Sequence, residues 1–200
     1  MTCSGSCGIG KVRDAERLEA MRAAALAYPG LRWTEAPLVV APIAEGELRA
    51  LADAIDEVVA AWQTLEVDPG GGATLALEGQ FGETVAATAA SRLEVVFSAL
   101  GRFATLREVS TTERDGCVAE VAVLGVEDRR WAGAVKALQG LLRERAIILL
   151  DMAFLGERVP AAEQFAYEEL YGTSLTWWAM LFRALPPEAR AFRPASPDVR

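Results

Sequence analysis

The most regular alternation of hydrophobic and polar positions lies between Glu45 and Leu65. Leu48, Leu51, Ile55, Val58, Val59 and Trp62 recur there at three- and four-residue spacing. That period predicts a helix with one apolar stripe, and Glu45 and Glu47 in its first turn suit the positive end of the helix dipole. A second helical pattern runs from Lys11 to Ala27, with Val12, Ala15, Leu18, Met21, Ala25 and Leu26 in phase, and stops at Tyr28-Pro29-Gly30. Between them, Pro37 to Ile43 is a short apolar run with proline near both ends, which reads as an edge strand or an irregular extended piece.

Beyond the breaker Asp68 to Gly72 the period changes. Ala73 to Glu78 reads as a strand. Glu83 to Phe103 reads as a helix, with Val85, Ala89, Leu93, Val96, Phe97 and Leu100 on one side. Thr105 to Thr112 alternates with a period of two. Asp115-Gly116 signals a tight hairpin, because both residues tolerate positive φ, and Cys117 to Val126 is its return strand. Glu127 to Arg145 is helical through Trp131, Val135, Leu138, Leu141 and Leu142. Ala146 to Leu155 reads as a buried strand or a continuation of that helix.

The expected architecture is therefore α+β: a ferredoxin-like βαββαβ core over about 73–155, flanked by N-terminal and C-terminal helices. Helical patterns return at Ala161 to Tyr171, with Pro160 at the start and Gly172 as the cap, and at Leu175 to Leu185, which Pro186-Pro187 stops. Residues 11–185 form one domain in this reading, with a helical N-terminal part at 11–67 and a helical C-terminal part at 160–185. A Cys-, Gly- and Ser-rich leader at 1–10 and a proline-rich tail at 186–200 lie outside it. Sheets of this kind pair through their open face, so a homodimer is an expectation by fold analogy.

Composition narrows the function. The chain has 200 residues, 52% of them hydrophobic, with 28 acids against 20 bases and a formal net charge of −8. A field of that sign opposes nucleic acid, whose phosphates need basic residues. No apolar run approaches the about 18 residues of a membrane span, and no signal-peptide pattern opens the chain, so the expected place is the cytoplasm. Lysine occurs only at Lys11 and Lys136 and asparagine not at all; a GC-rich coding bias accounts for this and points to a bacterial source.

Histidine is absent from the sequence. That removes the Ser-His-Asp triad, the Cys-His pair and the imidazole zinc ligand. Three cysteines remain, and Cys3 and Cys7 are spaced as candidate metal ligands. A structural zinc site wants four ligands, so Cys117 or a second subunit would have to complete it. Gly5-Ser-Cys-Gly-Ile-Gly10-Lys11 matches part of a phosphate-binding loop, but Val12 stands where a hydroxyl should meet magnesium, and too few residues precede it for the supporting strand. Asp53 with Glu57, and Glu163, Glu168 and Glu169, read as solvated helix faces.

Two features carry more weight. Asp151 interrupts an apolar run; if that run is a central strand, Asp151 is buried or at the strand end, and a buried carboxylate there is either half of a structural ion pair with Arg143 or Arg145, or a functional group. Trp177, Trp178 and Phe182 make the C-terminal helix unusually aromatic, a composition common to buried helices and to the anchors of protein interfaces. The expected function is a non-enzymatic, acidic interaction module with a protein partner: an adaptor, inhibitor or immunity-type protein. The alternatives are a small-ligand or metal-binding protein, using Cys3 and Cys7 or a pocket near Asp151, and a cofactor-dependent enzyme that works without histidine; no particular cofactor is indicated.

Overall fold

The computed structural model of the chain describes residues 13–27, 43–59, 62–67, 73–78, 89–114, 117–126, 129–160 and 166–182. Helices α1 (Asp14–Ala27) and α2 (Glu45–Val58) come first. Five strands follow: β1 (Trp62–Val67), β2 (Ala73–Glu78), β3 (Ala89–Phe97), β4 (Phe103–Arg114) and β5 (Cys117–Leu124). A 3-10 turn (Arg129–Trp131) leads into α3 (Ala132–Glu144). The short elements β6 (Ile148–Leu149), α4 (Met152–Leu155), α5 (Tyr167–Tyr171) and α6 (Trp177–Phe182) complete the order. The fold is mixed α+β, and among the described residues no helix is long and apolar enough to cross a membrane.

Strands β1 to β5 pair in sequence order, each antiparallel to the next. The pairing puts Leu65, Leu75, Val95 and Leu106 in one row across four strands. Arg114 pairs with Cys117, so β4 and β5 are the antiparallel hairpin arms expected on either side of Asp115-Gly116. Strand β4 is long enough to share one edge between two neighbours. β5 pairs with it from Glu108 onward, and β6 runs parallel to its first residues, Phe103 opposite Ile148 and Ala104 opposite Leu149. Gly125, at φ +98°, lets the chain leave β5 and bond back to the Leu106 carbonyl, in a conformation that favours glycine.

Two hydrophobic cores lie on the two faces of this sheet. On the first, Leu48, Leu51 and Ile55 of α2 and Val135, Leu138 and Leu142 of α3 cover Leu75, Leu77, Leu93, Val95, Phe97 and Leu106. On the second, α1, α4, α5 and α6 gather around Phe103, Leu150, Phe154 and Trp177. β6 threads between them: Ile147 and Leu149 belong to the first core, and Ile148 and Leu150 to the second. Arg102 ties the layers at one end. Its terminal nitrogens donate to the Glu47 carboxylate at 2.9 and 2.5 Å and to the Arg145 carbonyl at 2.6 Å.

The meander differs from the βαββαβ order expected of a ferredoxin-like core. Ala89–Phe97 is a strand where the helical period predicts a helix. The reason is burial on both faces. Leu93, Val95 and Phe97 face α2 and α3, while Val96 on the other side is also buried, so the run lacks the clean alternation of a half-exposed strand. The helix expected to reach Leu65 ends at Val58, and Trp62–Val67 joins the sheet as β1. The segment 146–155 is neither wholly strand nor a continuation of α3: after two strand residues, Asp151 starts the separate helix α4. The leader at 1–10, the tail at 186–200 and residues 37–42 lie outside the described residues.

Candidate functional site

The second face of the sheet holds its unusual chemistry. On β3 that face carries Arg92, Glu94, Val96 and Ser98; on β4 it carries Thr105, Arg107 and Val109, with Glu94 directly opposite Arg107. Glu94 is only 2% exposed. A carboxylate so far from water is costly unless it is paired and hydrogen-bonded. Both of its oxygens are used: Arg92 Nε donates to Oε1 at 2.8 Å, and Arg107 Nε donates to Oε2. Glu94 therefore sits between two guanidinium groups, in a chain that is acidic overall.

Helix α6 lies across this face. Ser98 Oγ donates to the Leu181 carbonyl at 2.6 Å and accepts from Leu100 N at 3.0 Å, which fixes the helix to the end of β3. Trp178 then sits over Arg107, with the guanidinium carbon 5.7 Å from the ring centroid, within the range of a cation–π contact. Phe182, one turn on, stacks against Trp178 at 5.1 Å between centroids and 18° between planes. Both rings stay half-buried. Beside Phe182 a cleft of 240 Å³ opens where β1 ends and β2 begins, lined by Glu66, Val67, Ala73, Thr74, Val96 and Phe97 together with Phe182.

The residues singled out in the sequence separate into different roles. Trp177 is 1% exposed and stacks on Phe154 at 5.7 Å, so it is core. Trp178 and Phe182 belong to the site just described. Asp151 caps α4: its Oδ1 accepts from Phe154 N at 2.8 Å. Arg143 and Arg145 are exposed. Glu168 accepts from Arg158 through both oxygens at 3.0 Å and from Leu175 N at 3.3 Å, and the Arg158 hydrogen bonds hold its carboxyl below the usual carboxylate range. Asp53 and Glu57 are exposed on α2. Cys3, Cys7, the Gly5 to Val12 stretch and Glu163 lie outside the described residues, and Cys117 opens β5. Among the described residues no group of three or more Cys, Asp or Glu side chains is placed to hold a metal ion.

Sequence reasoning missed Arg92, Glu94 and Arg107. With 83–103 read as a helix, Arg92 and Glu94 fall on different sides and Arg107 on another element. The usable signal was the alternation Arg92-Leu93-Glu94-Val95, which as a strand puts both charges on one face.

Models of protein families, curated proteins and solved structures offer no match to the chain. Function has to be argued from the site itself. A guanidinium held at Nε over the indole of a half-buried aromatic pair, beside a cleft, is suited to recognition: arginine and aromatic rings together dominate the energetic centres of protein interfaces. A second exposed apolar patch, Leu170 and Tyr171 at the end of α5, lies next to Gly172.

Proposed function

We propose that this chain is a non-enzymatic protein-interaction module and that α6, with the sheet face beneath it, is its contact surface. The observation that carries this reading is the stacked pair Trp178–Phe182, half-buried and set over Arg107 at the edge of the 240 Å³ cleft. The other side of α6 already spends Trp177, Ala179, Met180 and Leu181 on the core. Trp178 and Phe182 pack against the same core yet stay only partly buried, and two large rings partly in water offer apolar area to a partner. The Arg107 guanidinium beside them favours a partner that brings a negatively charged acceptor.

The test compares copurification of the wild type with that of a Trp178→Ala, Phe182→Ala double variant, both isolated under mild reducing conditions. The proposal expects a protein held in defined stoichiometry by the wild type and lost from the variant, with the variant still folded. A complex retained unchanged by the folded variant refutes the assignment of this face.

A further inference from the structure

The three-residue charge cluster on this face carries more than the docking of α6. Arg107 is held in two ways: Nε bonds the buried Glu94, and the guanidinium carbon lies over the Trp178 ring. Its side chain is 25% exposed, and among the described residues its two terminal amino groups make no hydrogen bond. An arginine anchored at Nε with its terminal nitrogens presented to solvent is set for an end-on, two-point contact with a carboxylate, and it has already given up its side-chain entropy. Arg92 donates to the other oxygen of the same carboxylate, so Glu94 is held from both sides.

We infer that Arg107 receives an acidic side chain of an extended peptide, whose neighbouring apolar residue enters the cleft beside Phe182. The inference rests on the interaction reading above and specifies the partner's chemistry. Charge complementarity fixes the direction of the peptide: its acid belongs at the arginine end, because exposed Glu66 stands at the cleft end. The spacing follows from the strand. Val96 lines the cleft and Glu94 pairs with Arg107, and these two stand two positions apart on one face of β3. That is roughly 7 Å along a strand, the distance between alternate side chains of an extended peptide.

The test uses the full chain and a panel of short acetylated peptides in which leucine, valine or phenylalanine stands two positions from glutamate, with the same peptides carrying glutamine instead. Binding is read from tryptophan fluorescence at low salt. The inference expects saturable binding of at least one glutamate peptide, about tenfold or more weaker binding of its glutamine counterpart, and loss of that discrimination in Arg107→Gln. Unchanged circular dichroism establishes that Arg107→Gln is folded, and Trp178→Leu serves as a second variant that keeps the charge and should weaken both peptides. Equal affinity for the glutamate and glutamine peptides, the same discrimination in Arg107→Gln, or no saturable change with any peptide overturns it. If copurification still depends on Trp178 and Phe182 in that case, the contact face stands and only the acidic-peptide assignment falls.

Discussion

Glu94 and Arg107 face each other across the β3–β4 pair, and the arginine's Nε donates to a carboxylate that is almost wholly out of water. The acid is buried on the face to which Ser98 fixes α6. Arg92 and Arg107 each take one of its oxygens, so neither is left without a donor. The same arrangement that makes the glutamate tolerable also immobilises the arginine, and this links the packing of the sheet to recognition at its surface.

Removing the carboxylate alone should therefore be expensive. Glu94→Gln leaves two half-buried guanidinium groups facing each other without their anion, and we expect a loss of about 3 kcal/mol in urea denaturation. Replacing all three groups by apolar residues of similar size, Glu94→Leu with Arg92→Met and Arg107→Met, should recover most of that stability, because no unpaired charge is then left inside. A triple variant no more stable than Glu94→Gln would show that the cluster does more for folding than balance its own charges.

The two adjacent tryptophans should behave differently. Trp177→Ala empties a site packed on Phe154 and should cost about 4 kcal/mol. Trp178→Ala removes a half-buried ring and should cost about 1 kcal/mol while weakening partner binding. Thermal or chemical denaturation of the two variants side by side checks the contrast.

Asp151 is expected to act as a helix cap. Asp151→Ala should lower stability by about 1 kcal/mol and Asp151→Asn by less, since asparagine caps nearly as well. Neither should alter binding at α6. A binding loss in folded Asp151→Asn would instead give this carboxylate the functional role that its position in an apolar run first indicates.

Acid should loosen the Glu47–Arg102 tie. The Arg102 hydrogen bonds hold the Glu47 carboxyl below its ordinary value, so the carboxylate is favoured in the folded state. Its contribution is complete above the unfolded pKa of about 4.3 and disappears as pH falls through the lower folded value. Glu47→Gln should cost about 1 kcal/mol at pH 7, and its deficit relative to the wild type should shrink steadily below about pH 4. Urea midpoints of both proteins across that range test it; a deficit independent of pH would contradict it.

The α+β class, the amphipathic helix of Glu45 to Val58, the β4–β5 hairpin and the buried face of α3 were legible from period and turn chemistry, because each has one wet side or a marked turn. What could not be read is what both faces of the sheet hide. Leu93, Val95 and Val96 are all buried, so β3 presents no clean period of two, and its three-residue apolar spacing imitates a helix. Once that strand is misassigned, the pairing of Glu94 with Arg107 cannot be found, because it depends on register rather than on nearness in sequence. Asp151 was legible as a buried acid, but its role was not: the cap depends on α4 starting one residue later. On α6, the adjacency of Trp177 and Trp178 already required them to point apart, and the fold decides which of them is core.

Hydrogen–deuterium exchange on the complex isolated with the wild-type chain would test the central claim most directly. The account predicts slowed exchange concentrated in residues 92–96, 105–109 and 177–182, with little change around Leu170 and Tyr171. Protection centred on Leu170 and Tyr171, with 177–182 unchanged, would contradict it, as would a wild-type chain that emerges with no bound protein at all.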